Sequence, residues 1–105
     1  MNEKITLLIN PIKREFIGKF SMTSALLKKF KEEHLLKKDI PGLFPELIKG
    51  EARIKKNKSE EHYTVHFYVE DENEIIETEP DFELYIAKDS TYIEKQTAEE
   101  IVLNF

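Results

Sequence analysis

The sequence has no cysteine and no tryptophan, and only three glycines occur among its 105 residues. Without cysteine, disulfide bonds and thiolate chemistry are excluded, and a reducing cytoplasm is the expected compartment. The three glycines lie far apart, so they cannot form a phosphate-cradling loop. None of the serines stands in a Gly-x-Ser-x-Gly context, which excludes that kind of nucleophile. No apolar run approaches membrane-spanning length, and the first ten residues do not resemble a signal peptide, so no membrane association is expected.

The histidines do not form a metal-ligand pattern. His62 and His66 share one face of a predicted strand, but four residues of strand separate them by about 13 Å. That is too far for one metal ion to bind both side chains. His34 falls beside Leu27 and Phe30 on a predicted helix, where a histidine at the core boundary is the commoner case. We therefore expect no metal, no cofactor and no enzymatic activity. A small nuclease assembled from scattered side chains, which leaves no linear motif, is a second alternative.

The clearest local pattern is an alternation in residues 62–70. Tyr63, Val65, Phe67 and Val69 form an apolar face, and the residues between them are amphipathic. A period of two predicts a strand with one face in the core. Turn-rich segments flank it on both sides, so we expect it near the middle of an antiparallel sheet.

The whole chain predicts a single domain of the α+β class. It opens with a β-hairpin, whose strands cover 4–10 and 13–20. A helix follows from Thr23 to about Lys38, because Thr23 and Ser24 are good N-caps. Pro45 and Gly50 are placed to start and end a second, short helix.

After these helices we expect an antiparallel meander of about five strands with short polar connections, at 51–57, 61–70, 74–79, 82–88 and 91–96. A capping box at Thr97 favours a last short helix with a docked apolar tail over a final strand. The predicted core packs the long helix on the meander, through Leu26, Leu27, Phe30, Val65, Phe67, Val69, Leu84 and Ile86.

Residues 100–105 resemble the hexapeptide that binds sliding clamps. Leu103 and Phe105 stand in its apolar positions, and Glu100 stands where the motif has glutamine. The same residues also fit an apolar tail that docks on the protein's own core.

Charge is divided sharply between the two halves. Residues 1–58 hold 14 Lys/Arg and 7 Asp/Glu, a charge of +7, whereas residues 59–105 hold 2 Lys and 14 Asp/Glu, a charge of −12. Such a division predicts either neutralisation across strands and helix faces or a field that recognises a partner. Both interpretations stay open at the level of sequence.

The acidic half favours a non-catalytic protein-binding module, an inhibitor or adaptor that recognises a basic surface on another protein. Its carboxylates are dense over 14 residues of predicted strands and turns: Glu70, Asp71, Glu72, Glu74, Glu77, Glu79, Asp81 and Glu83. In charge and size this segment resembles phage-type inhibitors that imitate nucleic acid. The excess of lysine over arginine fits AT-rich coding DNA, as in phages and mobile elements. Self-association along an open strand edge is a further expectation.

The basic half favours an alternative, nucleic-acid binding. The residues that would contact phosphates lie on the helix and in the segment 49–58: Lys28, Lys29, Lys31, Arg53, Lys55 and Lys56. Such a cluster gives salt-dependent affinity if it forms one surface. Only two arginines are available for bidentate base contacts, and the acidic half repels a polyanion unless it faces away.

Overall fold

The computed structural model describes residues 3–38, 47–56, 61–70 and 79–105. Strands account for about 60% of these residues and one helix for 11%. In chain order the elements are β1 (Lys4–Asn10), β2 (Glu15–Thr23), α1 (Ser24–Glu32), β3 (Leu36–Lys38), β4 (Leu47–Lys55), β5 (His62–Val69), β6 (Phe82–Ala87), β7 (Ile93–Gln96) and β8 (Glu100–Asn104).

The predicted α+β class is wrong, because the described chain is mostly an antiparallel β-sheet. The strands form one sheet in the order β3-β6-β5-β4-β2-β1-β8-β7. The opening hairpin is present as β1 and β2, and β4, β5 and β6 form a sequential meander. β7 does not continue that meander, since it pairs with β8 at the other edge. The predicted strand at 74–79 lies outside the described residues, except for Glu79.

The helix is shorter than predicted. It begins after Thr23, whose hydroxyl accepts the Leu26 N–H at 3.2 Å. It ends because His34 takes a positive φ of 59° and the Leu35 N–H bonds the Phe30 carbonyl at 3.0 Å. This is the usual left-handed helix end, but histidine stands where glycine is common, and a histidine is a weak signal for such an end. His34 is exposed, not at the core boundary as predicted.

The second helix, predicted from Pro45 to Gly50, is also wrong. Residues 47–50 begin β4, and residues 45 and 46 lie outside the described ranges. Ile48, Gly50, Ala52 and Ile54 alternate toward the core along this strand. A Cβ at Gly50 would collide with the Tyr68 carbonyl oxygen on β5. Gly50 therefore serves close strand packing and does not end a helix.

The sheet curls strongly. Only residues 88–92 join β6 to β7, although these strands stand six positions apart in the sheet order. In a flat sheet they would be about 29 Å apart. A connection of this length reaches about 20 Å at most. The two ends of the sheet must therefore approach each other, and the core lies on the concave side.

Hydrogen bonds cross the gap that the curl leaves. The Tyr63 hydroxyl donates to Gln96 Oε1 at 2.7 Å, which links β5 to β7. Gln96 Nε2 donates to the Lys88 carbonyl at 2.9 Å. The Tyr92 hydroxyl donates to Glu33 Oε1 at 2.8 Å and thereby holds the end of the helix against residues 88–92.

A single hydrophobic cluster fills the concave side. It contains six of the eight residues of the predicted core, and the other two, Leu26 and Val69, are partly buried and pack against it. Leu27 and Phe30 come from the helix, while Phe67 and Leu84 are fully buried on β5 and β6. Helix and meander therefore share one core, as the sequence predicted, even though the fold class differs.

The last segment is a strand, not a short helix. The Thr97 hydroxyl does accept the Glu99 and Glu100 N–H groups, as in a capping box. The chain then extends as β8, which pairs with β1 from Lys4↔Asn104 to Leu8↔Glu100. Leu103 is fully buried and Phe105 nearly so. The two residues at the hexapeptide's apolar positions are therefore part of the protein's own core.

Candidate functional site

The antiparallel strand order puts a cluster of basic residues and a cluster of acidic residues at opposite ends of the meander. The β1–β2 turn, the end of β4 and the start of β5 lie at one end. The start of β4, the end of β5 and the start of β6 lie at the other. We call these the basic end and the acidic end.

The basic end begins with a well-ordered hairpin turn at residues 11–14. Asn10 Oδ1 accepts the backbone N–H groups of Ile12 and Lys13, both at 3.1 Å. Arg14 takes a positive φ of 57°, and its N–H bonds the Asn10 carbonyl at 2.8 Å. The turn holds Ile12 in solvent with 91% of its surface exposed.

Two further cations join this turn from β4. The Lys56 N–H donates to the Arg14 carbonyl at 3.2 Å, and Lys55 is paired with Glu15 across the β2–β4 ladder. Both lysines are exposed. The basic end therefore combines four exposed cationic residues, Lys13, Arg14, Lys55 and Lys56, with Glu15 as a neighbouring carboxylate.

An aromatic pair lies next to these cations on the convex face. The rings of His62 and Tyr85 are 5.9 Å apart with an interplanar angle of 39°. Tyr85 is 40% exposed, and His62 is also exposed. Tyr85 pairs with Thr64, and Ile54 pairs with Val65. The next residue of β4, Lys55, therefore follows in register beside Thr64.

In the middle of the convex face, polar and charged side chains contact one another. Arg53 is only 8% exposed, donates to Glu51, and lies 4.8 Å from the centre of the Tyr68 ring. His66 Nδ1 is 3.5 Å from Glu83 Oε1 on β6. Arg53 was predicted to contact nucleic acid, but its guanidinium is already engaged within the protein.

At the acidic end the structure describes four of the eight predicted carboxylates. Glu70 follows β5, and its N–H bonds the Lys49 carbonyl at 2.9 Å. The carboxylate of Asp81 accepts the Val69 N–H at 2.7 Å. Glu79 is exposed, whereas Glu83 is partly buried beside His66. Four of the eight lie outside the described residues: Asp71, Glu72, Glu74 and Glu77.

The helix lysines do not join the basic end. Lys28, Lys29 and Lys31 are exposed on α1, which packs on the concave side. Lys55 projects from the convex side of β4, because its neighbour Ile54 faces the core. Lys29 Nζ instead lies 5.7 Å from the centre of the Tyr92 ring. The two predicted groups of phosphate-binding residues are therefore on different sides of the core.

Several residues of the basic end were missed at the level of sequence. Ile12, Lys13 and Arg14 lie in the turn after Asn10-Pro11, where consecutive cations in a hairpin turn are a usable signal. The contact between the His62 and Tyr85 rings could not be predicted from the sequence, because it depends on the register between β5 and β6.

The described residues also limit the chemistry. Within residues 3–38, 47–56, 61–70 and 79–105, no three His, Asp or Glu side chains converge as metal ligands. No helix in these ranges is both long enough and apolar enough to cross a membrane.

Comparison of the chain with protein-family models, curated proteins and solved structures gave no match.

Proposed function

We propose that the protein is a non-catalytic protein-binding module that captures a basic surface of another protein through its acidic end. The proposal rests on one observation above all, the density of carboxylates between residues 70 and 83. In a chain with no cysteine, we propose a cytoplasmic partner and an inhibitor or adaptor role of the kind that phages and mobile elements use.

The attachment of residues 70 and 81 to the sheet supports this role. The connection leaves and rejoins the sheet between neighbouring strands, and the Asp81 N–H donates to the Phe67 carbonyl at 2.8 Å. With the Asp81–Val69 bond, this pairing fixes both ends of residues 70–81 to the sheet. A segment with fixed ends loses less conformational entropy on binding than a free tail does.

Separation from the basic end also supports it. Lys49, whose carbonyl bonds Glu70, lies six residues before Lys55 on β4, or about 20 Å along the strand. That distance exceeds the Debye length at physiological salt, so the cations of the basic end do little to neutralise the acidic end. Among the residues of the acidic end whose side chains the structure describes, Glu70, Glu79 and Asp81 outnumber Lys49.

Self-association along a strand edge is a weaker proposal. The edge strands in the described part of the sheet are β3 and β7, of three and four residues. Short edges offer few unpaired backbone groups to a second copy.

The test reverses charge at the acidic end with the quadruple variant E72K/E74K/E77K/E79K. Wild type immobilised on a matrix should retain a specific protein from a source-cell lysate. The purified partner is then titrated against each variant. We expect the reversed variant to bind at least 100-fold more weakly, because attraction becomes repulsion.

The matched control is E32K/E61K/D89K/E99K, which makes the same change in net charge at exposed positions elsewhere. It should bind within a few-fold of wild type, and thermal unfolding should confirm that both variants fold. Equal binding by the reversed variant and wild type, or equal losses in both variants, would refute the acidic end as the recognition surface.

A further inference from the structure

We propose that the basic end is a second binding site, and that it binds single-stranded nucleic acid on the convex face of the sheet. The site consists of the His62–Tyr85 ring pair and Lys55 on that face, with the exposed cations Arg14 and Lys56 at the adjoining rim of the sheet. It is separate from the acidic end, and it differs from the surface predicted from sequence because it excludes both the helix lysines and Arg53.

The ring pair supplies a stacking platform. Tyr85 and His62 come from neighbouring strands, and both rings are accessible on the convex face. Unpaired bases stack on such side chains whatever their sequence, because every base has a π-face. Strand pairing between β5 and β6 fixes the backbones of both residues, which keeps the two rings close to each other before a base binds.

The cations lie where the sugar–phosphate backbone of a bound strand would pass. Lys55, Thr64 and Tyr85 lie in one row across three adjacent strands, so about 10 Å separates the backbones of Lys55 and Tyr85. A base on Tyr85 leaves its phosphate within reach of the long side chain of Lys55. Arg14 and Lys56 add exposed cations at the rim of the sheet beyond Lys55, where the Lys56 N–H donates to the Arg14 carbonyl.

Nearby carboxylates weaken this field without cancelling it. Glu15 stands beside Lys55 in the ladder, and Glu61 precedes β5 at the same end. Asp89 follows Lys88 just after β6, and the Glu99 carbonyl accepts the Ile9 N–H at the end of β1, so both acids lie at this end as well. The cations Lys13, Arg14, Lys55, Lys56 and Lys88 outnumber these four acids by one. The acidic end, which would repel a polyanion, is about 20 Å away along the strands.

The position of the rings favours single strands over a duplex or a membrane. Bases inside a duplex are stacked on each other and cannot cover a protein ring. An anionic membrane would need several apolar side chains at the protruding turn. Among the described residues of that turn, Ile12 is the one large apolar side chain in solvent.

The experiment titrates the full chain into a fluorescently labelled oligothymidylate of 12 nucleotides and follows polarisation at two salt concentrations. We expect Y85A to weaken binding about tenfold, because a stacked base loses its platform. The conservative variant Y85F should retain wild-type affinity, since it retains the ring. K55A/K56A should weaken binding and reduce the salt slope by about 1.4, for two phosphates on a single strand.

The matched control is K28A/K29A, which removes two exposed lysines from the helix. It should leave affinity and salt slope unchanged. Equal losses in K28A/K29A and K55A/K56A would overturn the site, as would an unaltered affinity in Y85A or the absence of any binding at low salt. Tighter binding to the matching duplex, or binding only to phosphatidylserine vesicles, would also overturn it. E72K/E74K/E77K/E79K should bind the oligonucleotide at least as well as wild type, so this test stands apart from that of the acidic end.

Discussion

The meander and the closure of the sheet are built in different ways. In the meander, β4, β5 and β6 pair with their neighbours in sequence. In the closure, β1 pairs with β8, and α1 and residues 88–92 cover the gap between the edges. The meander depends on local pairing, whereas the closure depends on contacts between segments that are far apart in the chain.

Their aromatic clusters reflect this difference. In the meander, Phe67 and Phe82 are partners in the ladder, and their rings stack 4.6 Å apart. In the closure, Phe30 from the helix meets Phe105 at 4.8 Å and Tyr92 at 6.1 Å. Three distant segments thus join at a single cluster. Both proposed binding surfaces lie on the meander, its connections and the neighbouring β1–β2 turn, so variants of the closure at α1 and Phe105 should change stability without changing recognition.

The largest effect is expected from Phe30→Ala in the closure. The Phe30 side chain is fully buried, and removing it leaves a cavity between the helix and Phe105. We expect the free energy of unfolding to fall by about 3–5 kcal/mol, as measured by urea denaturation. Phe30→Leu should recover most of this loss. Oligothymidylate affinity should stay at the wild-type value wherever the variant is folded, and a loss below about 1 kcal/mol would show that the closure contributes little.

Gly50→Ala tests the close packing of the meander. The added Cβ collides with the backbone of Tyr68 and Glu70, which cannot move aside as a flexible side chain would. Overpacking of this kind costs about 2–3 kcal/mol. The matched control is Lys49→Ala at the neighbouring exposed position, which should stay within about 0.5 kcal/mol of wild type. Equal stability of the two variants would contradict the close approach of β4 and β5.

The smallest effect concerns pH and the ion pair between β1 and β7. Lys4 Nζ lies 3.0 Å from Glu94, and Asn104 Nδ2 donates to the same carboxylate at 3.2 Å. Hydrogen bonds from Lys4 and Asn104 lower the pKa of Glu94 below its ordinary value of 4.5. The charged carboxylate therefore contributes stability above pH 4.5, and this contribution is lost as pH falls through the folded pKa.

Thermal unfolding as a function of pH measures this contribution. Between about pH 5 and pH 3 the Tm of wild type should fall more steeply than the Tm of E94Q. Adding Lys4→Met to E94Q should change the slope little further, because the pair is already broken. If the Tm of wild type and the Tm of E94Q fall equally at acidic pH, this ion pair does not couple stability to pH.

The sequence predicted the meander better than the closure. The alternation from His62 to Val69 identified β5 within one residue, because each strand with one buried face carries its own period. A glycine within a strand is a local signal of a bulge or of close backbone approach, and at Gly18 an added Cβ would collide with the Thr6 carbonyl oxygen on β1. Such features are local, and they can be read without knowing which strands pair.

The errors arose where distant contacts decide the structure. Gly50 was read as a helix end, but its lack of a Cβ serves packing against Tyr68, which no local pattern reveals. The pairing of β8 with β1 turned an expected helix into a strand. The ring pair at the basic end depends on the β5–β6 register in the same way. The division of charge between the two halves of the chain is visible in the sequence. The positions of the basic end and the acidic end could be assigned only from the strand order.

The most direct test of this account is an NMR titration of the ¹⁵N-labelled chain with oligothymidylate. The account predicts shifts concentrated in the hairpin turn, the end of β4 and the amides around His62 and Tyr85. The chemical shifts of the amides of α1 and of residues 79–83 should not change. Shifts that centre on α1, or that spread evenly over both ends of the meander, would contradict the separation of two surfaces on one curled sheet.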